Sequence, residues 1–103
     1  MIEQIRAKIQ TGQFEFSRHA VDTSILRRIT VHEVREVLAN GQIIEDCPDD
    51  KYGPSCLVLG FTRKGRPLHI QCSHSSRPLV KIITLYEPYA DEWIDFKLRR
   101  GKP

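Results

Sequence analysis

The stretch that decides the fold runs Ser55-Cys56-Leu57-Val58-Leu59-Gly60-Phe61-Thr62, then Arg63-Lys64-Gly65-Arg66, then Pro67-Leu68-His69-Ile70-Gln71-Cys72-Ser73. Two runs rich in apolar and β-branched residues flank a short polar segment containing a glycine, the pattern of two antiparallel strands joined by a hairpin. In the second run, strand alternation places Leu68, Ile70 and Cys72 on one face and His69, Gln71 and Ser73 on the other. The first set suits a core, so His69 is expected to point away from it.

Toward the C-terminus, residues 79–86 form another strand, with Val80, Ile82 and Thr84 opposite Leu79, Ile83 and Leu85, as in a central strand covered on both sides. Lys81 and Tyr86 stand out in it. Their separation sends them to opposite faces, so they meet only where the strand bends or the sheet twists strongly. Pro88 suits a first helical turn, and residues 89–100 read as a closing helix with Trp93 and Phe96 on one face.

Toward the N-terminus, residues 42–47 read as a strand, and Asn40-Gly41 before it as a helix end that supplies a left-handed residue. Thr30-Val31-His32-Glu33 has the form of a capping box, which starts a helix striped by Val34, Val37 and Leu38. Residues 19–28 read as a preceding helix and Phe14–Phe16 as a short strand. Ile2, Ile5 and Ile9 give residues 2–11 an amphipathic helical spacing. Polar turns are expected over residues 48–54 and at Ser75-Ser76-Arg77-Pro78. Helices gathered ahead of a meander give an α+β class. The expected architecture is an antiparallel sheet of about four to five strands, with N-terminal helices packed on it and a C-terminal helix.

A chain of 103 residues, 40% of them apolar, supports one core, so residues 1–103 are read as one domain. The apolar runs are far shorter than the roughly 18 residues that suggest a membrane span, and the first turn carries charge unlike a secretory signal. Cys47, Cys56 and Cys72 are three widely spaced thiols, read as reduced. A cytoplasmic protein without a membrane partner is expected. The formal net charge of +3 is compatible with a polyanion, and Lys97, Arg99, Arg100 and Lys102 crowd one end while Asp46, Asp49 and Asp50 cluster mid-chain.

His19 and His69 carry imidazoles suited to proton transfer near neutral pH. The bland alternatives are a hydrogen-bonded corner for His19 and simple exposure for His69. Arg27, Arg28, Arg66 and Lys81 carry charges suited to phosphate, though a surface arginine is usually just solvated. His69, Cys72 and His74 fall close together, yet alternation sends His69 and Cys72 to opposite faces, which argues against zinc. Glycine-rich phosphate loops and nucleophile elbows are absent, and neither metal nor cofactor is expected.

Several segments together resemble a known family: Phe14-Glu15-Phe16-Ser17-Arg18-His19-Ala20, Gly41-Gln42-Ile43-Ile44-Glu45, Pro48-Asp49-Asp50, Pro54-Ser55-Cys56-Leu57-Val58-Leu59-Gly60, Gly65-Arg66-Pro67-Leu68-His69 and Ile83-Thr84-Leu85-Tyr86-Glu87-Pro88. They resemble a prokaryotic domain of unknown function in which Ser-x-His-Ala and Gly-Arg-Pro-Leu-His segments recur. Its layout is similar to that of RelE-type toxins, which cleave messenger RNA. The resemblance implies a toxin of a type II toxin–antitoxin pair, a metal-independent endoribonuclease that uses the RNA 2′-hydroxyl. His69, His19, Tyr86 and Lys81 are then the catalytic candidates, and Arg66, Arg27, Arg28, Lys97, Arg99 and Arg100 the RNA-binding ones. The implied partners are RNA, ribosome-bound messenger included, and a small antitoxin with zinc-binding cysteine motifs. Fold-level likeness alone does not transfer an activity, and the second reading is a non-catalytic protein- or RNA-binding module.

Overall fold

Residues 55–73 form the expected hairpin. In the computed structural model, which describes residues 1–51, 53–74 and 78–101, β3 (Ser55–Phe61) and β4 (Pro67–Ser73) pair antiparallel from Ser55 opposite Ser73 to Phe61 opposite Pro67. Gly65 supplies the left-handed residue of the turn, with φ of 84°. The expected turn at Ser75-Ser76-Arg77, Tyr52 of the polar loop, and Lys102 lie outside the described residues.

The elements ahead of the hairpin follow their sequence signals, except that Gly41 ends its helix in an extended conformation, at φ of −76°, rather than a left-handed one. Helix α1 (Ile2–Gln10) buries Ile5 and Ile9, and β1 (Phe14–Phe16) follows it. Ser17 caps α2 (Arg18–Leu26) by accepting the Ala20 amide. Thr30 and Glu33 close a reciprocal capping box on α3 (Val31–Asn40), which buries Val34, Val37 and Leu38. Then come β2 (Gln42–Cys47) and, after the hairpin, β5 (Val80–Tyr86).

The sheet order is β1-β5-β4-β3-β2. It is mixed rather than wholly antiparallel, because β1 joins the edge parallel to β5, with Phe14 opposite Val80. The helices cover one face, where Ile5, Ala20, Val37, Val58, Leu68, Ile70, Ile82 and Leu85 share a core with Cys56 and Cys72. Helix α3 lies close to β3. A Cβ built on Gly60 would come within 2.5 Å of the Val37 carbonyl oxygen, so only glycine permits that approach.

Two β-bulges set which side chains reach the other face. On β2, Ile43 opposes Val58 but Glu45 opposes Leu57, so Ile44 is the extra residue. On β5, Leu85 opposes Ile70 and Thr84 opposes Gln71, yet Ile82 opposes Cys72, leaving Ile83 extra. Each bulge reverses the side-chain parity beyond it. Val80, Ile82 and Leu85 therefore all enter the core, while Lys81, Thr84 and Tyr86 share the opposite face. The expectation that Lys81 and Tyr86 oppose each other is corrected by this bend.

The helix expected over residues 89–100 is not formed. That segment is a second hairpin, β6 (Trp93–Ile94) with β7 (Leu98–Arg99), laid on the face that the helices leave open. Asp95 and Phe96 turn it at φ of 52° and 61°, and the Lys97 amide donates to the Ile94 carbonyl at 3.0 Å. Both central residues of such a turn need positive φ, which costs on the order of 1–2 kcal/mol for a residue with a side chain. Burial offsets that cost: Trp93 is 5% exposed, and Phe96 packs edge-on against Phe61 at 6.2 Å between ring centres. No helix among the described residues is long and apolar enough to cross a membrane.

Candidate functional site

His69 lies on the face that alternation assigned to it, but that face is covered, and the imidazole is completely buried. Trp93 of the C-terminal hairpin closes over it edge-on, with ring centres 4.4 Å apart and planes at 89°. One ring nitrogen, Nε2, lies 2.6 Å from the Phe96 carbonyl oxygen, and Nδ1 lies 3.2 Å from the Tyr86 hydroxyl. A carbonyl only accepts, so Nε2 carries the proton and Nδ1 offers its lone pair to the Tyr86 O–H. Burial lowers the His69 pKa, with the Phe96 hydrogen bond working weakly the other way. His69 is thus neutral at pH 7, with its tautomer fixed by a backbone carbonyl in a left-handed turn.

Tyr86 is the pair's outlet to solvent. It lies directly opposite His69 in the β4–β5 register and is half-buried. Its side chain lines a cleft of about 550 Å³, with Asp91, Glu92, Trp93, Arg99, Arg100 and Gly101 around it. Burial raises the Tyr86 pKa, so the phenol stays protonated and able to donate. The Arg27 guanidinium stands 6.0 Å from the Tyr86 ring centre and also lines a second cleft of about 320 Å³ with Arg66, Glu87 and Tyr89.

The cations divide into fixed and available ones. Arg66 Nε donates to Glu87 at 2.7 Å, and its two Nη atoms donate to the carbonyls of Arg28 and Arg27, each at 3.0 Å. A further contact with Glu33 lies at 3.4 Å. Arg66 therefore clips the end of α2, the start of α3 and the end of β5 together, and Glu87 raises its pKa. Arg99 is held bidentate by Glu45, at 2.7 and 3.0 Å, and lies over Trp93 at 4.8 Å, which fastens the hairpin to β2. Arg100 gives Nε to the Ala90 carbonyl at 2.9 Å, and its two Nη groups have no partner among the described residues. Arg27 is exposed beside Tyr86, while Arg28 is exposed at a left-handed helix end, φ 54°. Lys97 is exposed at the hairpin turn.

The remaining candidates stand apart. Lys81 faces Glu15 across β1 and β5 at 3.8 Å, roughly 13 Å along the sheet from the His69–Tyr86 pair at strand spacing. His19 contacts the hydroxyls of Thr84 at 3.2 Å and Thr23 at 3.4 Å, near the pair but not touching it. His69, Cys72 and His74 do not converge: Cys72 is in the core and His74 pairs with Asp46 at 3.0 Å. Among the described residues no His, Cys, Asp or Glu cluster is placed to hold a metal ion, and Cys47, Cys56 and Cys72 are free thiols.

The two recurrent segments now have physical jobs. The Ser17 amide and hydroxyl donate to the carbonyls of Ile82 and Ile83, each at 2.9 Å, so Ser17 secures the bulge that aims Tyr86 at His69. In the other segment, Gly65 turns the hairpin, Arg66 clips the helix ends and His69 receives the tyrosine. Sequence reading missed Trp93, Phe96 and Glu45 as parts of the site. The spacing of Trp93 and Phe96 imitates a helix, and the bulge that exposes Glu45 to Arg99 leaves no mark in composition.

The chain is thus a small α+β protein whose sheet buries a tyrosine-linked histidine under a hairpin. A family model described as domain of unknown function (DUF4258) matches residues 16–87, more than two thirds of the chain, and the chain belongs to that family. Neither a curated protein nor a solved structure matches it. The match ends at Glu87, so the hairpin that buries His69 lies beyond the matched range.

Proposed function

We propose that this protein is a metal-independent endoribonuclease that cleaves RNA by attack of the ribose 2′-hydroxyl, with Tyr86 as the group touching the substrate. The observation carrying this reading is the Tyr86 hydroxyl, 3.2 Å from the acceptor nitrogen of a buried, neutral His69 at the wall of a solvent-reachable cleft. The RNA 2′-hydroxyl gives its proton to Tyr86 Oη as the tyrosine proton passes to His69 Nδ1. The 2′-oxygen bonds to phosphorus, the bond to the 5′-oxygen breaks, that oxygen takes a proton from water, and the hydroxide left behind takes back the proton held on His69 by way of Tyr86. Arg27 and Arg100 supply positive charge for the crowded phosphate. The nucleophile is internal to RNA, so DNA is spared. Read with the resemblance to RelE-type toxins, the chain acts in the cytoplasm on messenger RNA, and an antitoxin covers the cleft.

The test is purified protein with a labelled oligoribonucleotide in excess chelator. Cleavage leaving a 2′,3′-cyclic phosphate is expected, and an identical strand with 2′-deoxyribose at the cut position stays intact. Intact RNA under every condition contradicts the reading. One observation favours the non-catalytic alternative: Ile25 and Leu26, 72% and 81% exposed, sit beside Arg27 on α2 and suit a protein partner. That reading expects RNA or protein bound and left uncut.

A further inference from the structure

The second cleft, lined by Arg27, Arg66, Glu87 and Tyr89, is not used by the proton-transfer pair. We infer that it is a base-recognition subsite for guanine in the RNA strand, with Glu87 reading the base edge and Tyr89 stacking on its face. The inference deepens the nuclease reading and rests on it for the strand, though not for the base.

Glu87 carries the discrimination. Its Oε1 accepts Arg66 Nε at 2.7 Å, while Oε2 has no partner among the described residues, in a side chain 47% exposed. Arg66 is itself locked by the Arg27 and Arg28 carbonyls, so the carboxylate is held in place rather than free to swing. A carboxylate has about four acceptor positions, enough for Arg66 and two further donors. Guanine alone presents two adjacent donors on its Watson–Crick edge, the N1–H and the N2 amino group. Adenine and cytosine each set one amino group beside a ring-nitrogen lone pair that the carboxylate repels, and uracil sets its single N–H between two carbonyls. Tyr89, 63% exposed, offers an open ring face at the same cleft, and base stacking on such a ring favours any nucleobase without choosing among them.

Position supports the assignment. Glu87 directly follows Tyr86, and Arg27 lines this cleft while standing 6.0 Å from the Tyr86 ring centre. A base held against Glu87 thus puts its own phosphate at Arg27 and Tyr86, which fixes the cut next to a guanosine.

The experiment is isothermal titration of the full chain with guanosine, inosine and adenosine 3′-monophosphates, and with a short RNA containing a single guanosine. The guanosine nucleotide is expected to bind about tenfold or more tighter than the adenosine one, with inosine, which lacks the amino group, between them. Glu87→Gln keeps an acceptor for Arg66 but faces the base with a donor, and it is expected to erase the preference while the circular dichroism spectrum is unchanged. Tyr89→Leu, at an exposed position, is expected to weaken all three about fivefold or more. The strand is expected to outbind the mononucleotide, as added phosphates reach Arg100. Equal affinity for the three nucleotides, or a guanosine preference that survives Glu87→Gln, overturns the base assignment, and a strand that binds no better overturns RNA as its source. Selective guanosine binding without RNA cleavage refutes the nuclease reading and leaves the subsite standing; cleavage without selectivity does the reverse.

Discussion

Replacing His69 by asparagine or by glutamine separates the two jobs of that imidazole. Asparagine places its oxygen near the former Nδ1 and can still accept from Tyr86, but it is too short to reach the Phe96 carbonyl, 2.6 Å from Nε2. Glutamine reaches that carbonyl with its amide N–H and abandons Tyr86. An orphaned buried carbonyl costs about 1–3 kcal/mol, whereas Tyr86 is only half-buried and lines a cleft where its hydroxyl can turn to water, losing about 1 kcal/mol or less. Both variants lose the edge contact with Trp93, about 0.5–1.5 kcal/mol. His69→Asn should therefore fall about 2–4 kcal/mol below wild type and His69→Gln about 1–2 kcal/mol. Urea unfolding followed by Trp93 fluorescence resolves this, since a difference of about 1–2 kcal/mol moves the midpoint by roughly 0.5–1 M. The pH dependence adds an internal check. The folded-state pKa of His69 lies below its unfolded value of about 6.5, so between the two the unfolded chain holds a proton that the folded chain refuses. This contribution is full above about pH 6.5 and is lost as pH falls toward the folded pKa, with a slope of at most about 1.4 kcal/mol per pH unit. Both variants should lose that slope. Glutamine as damaging as asparagine refutes the hydrogen-bond assignment, and an unchanged acid slope in either variant refutes the buried, neutral state of His69.

Two further substitutions test how the site is held. Gly60→Ala drives a methyl group to 2.5 Å from the Val37 carbonyl oxygen and 2.8 Å from its Cγ1, and should cost about 1–3 kcal/mol, seen as a lower Tm; an unchanged Tm contradicts the close helix–strand approach. Arg66→Lys keeps the charge but cannot span Glu87 and the Arg27 and Arg28 carbonyls at once, so a loss of about 1–2 kcal/mol is expected in urea unfolding. Wild-type stability in that variant would show that Arg66 is not a clip.

The legible part of this fold is the part whose signals are local. Ile2, Ile5 and Ile9, the Thr30–Glu33 box and the alternation through Leu68, Ile70 and Cys72 each state their structure within a few residues. The C-terminal hairpin was not legible, because Trp93 and Phe96 fit a helical face and the turn uses no glycine; Phe96 takes its left-handed conformation where the burial of its ring offsets the cost. The burial of His69 follows from that hairpin, so alternation gave the correct face and the wrong environment. Of the named candidates, His69, Tyr86, Arg27 and Arg100 converge, Arg66 and Arg99 serve as clips beside them, and Lys81 pairs with Glu15 elsewhere. The bulge at Ile83 decides this grouping, and an extra residue in a strand is visible only once its partner strand is known.

The most direct measurement is the single-turnover rate of RNA cleavage by Tyr86→Phe against wild type at neutral pH. The phenylalanine keeps the ring over which Arg27 stands and removes only the hydroxyl that bonds to His69 and that, in the proposed reaction, meets the substrate. Proton transfer by a positioned side chain is worth about 10²–10⁴-fold. A loss of at least a hundredfold, in a variant with wild-type folding and undiminished RNA affinity, is the result expected; a wild-type rate from Tyr86→Phe contradicts the account.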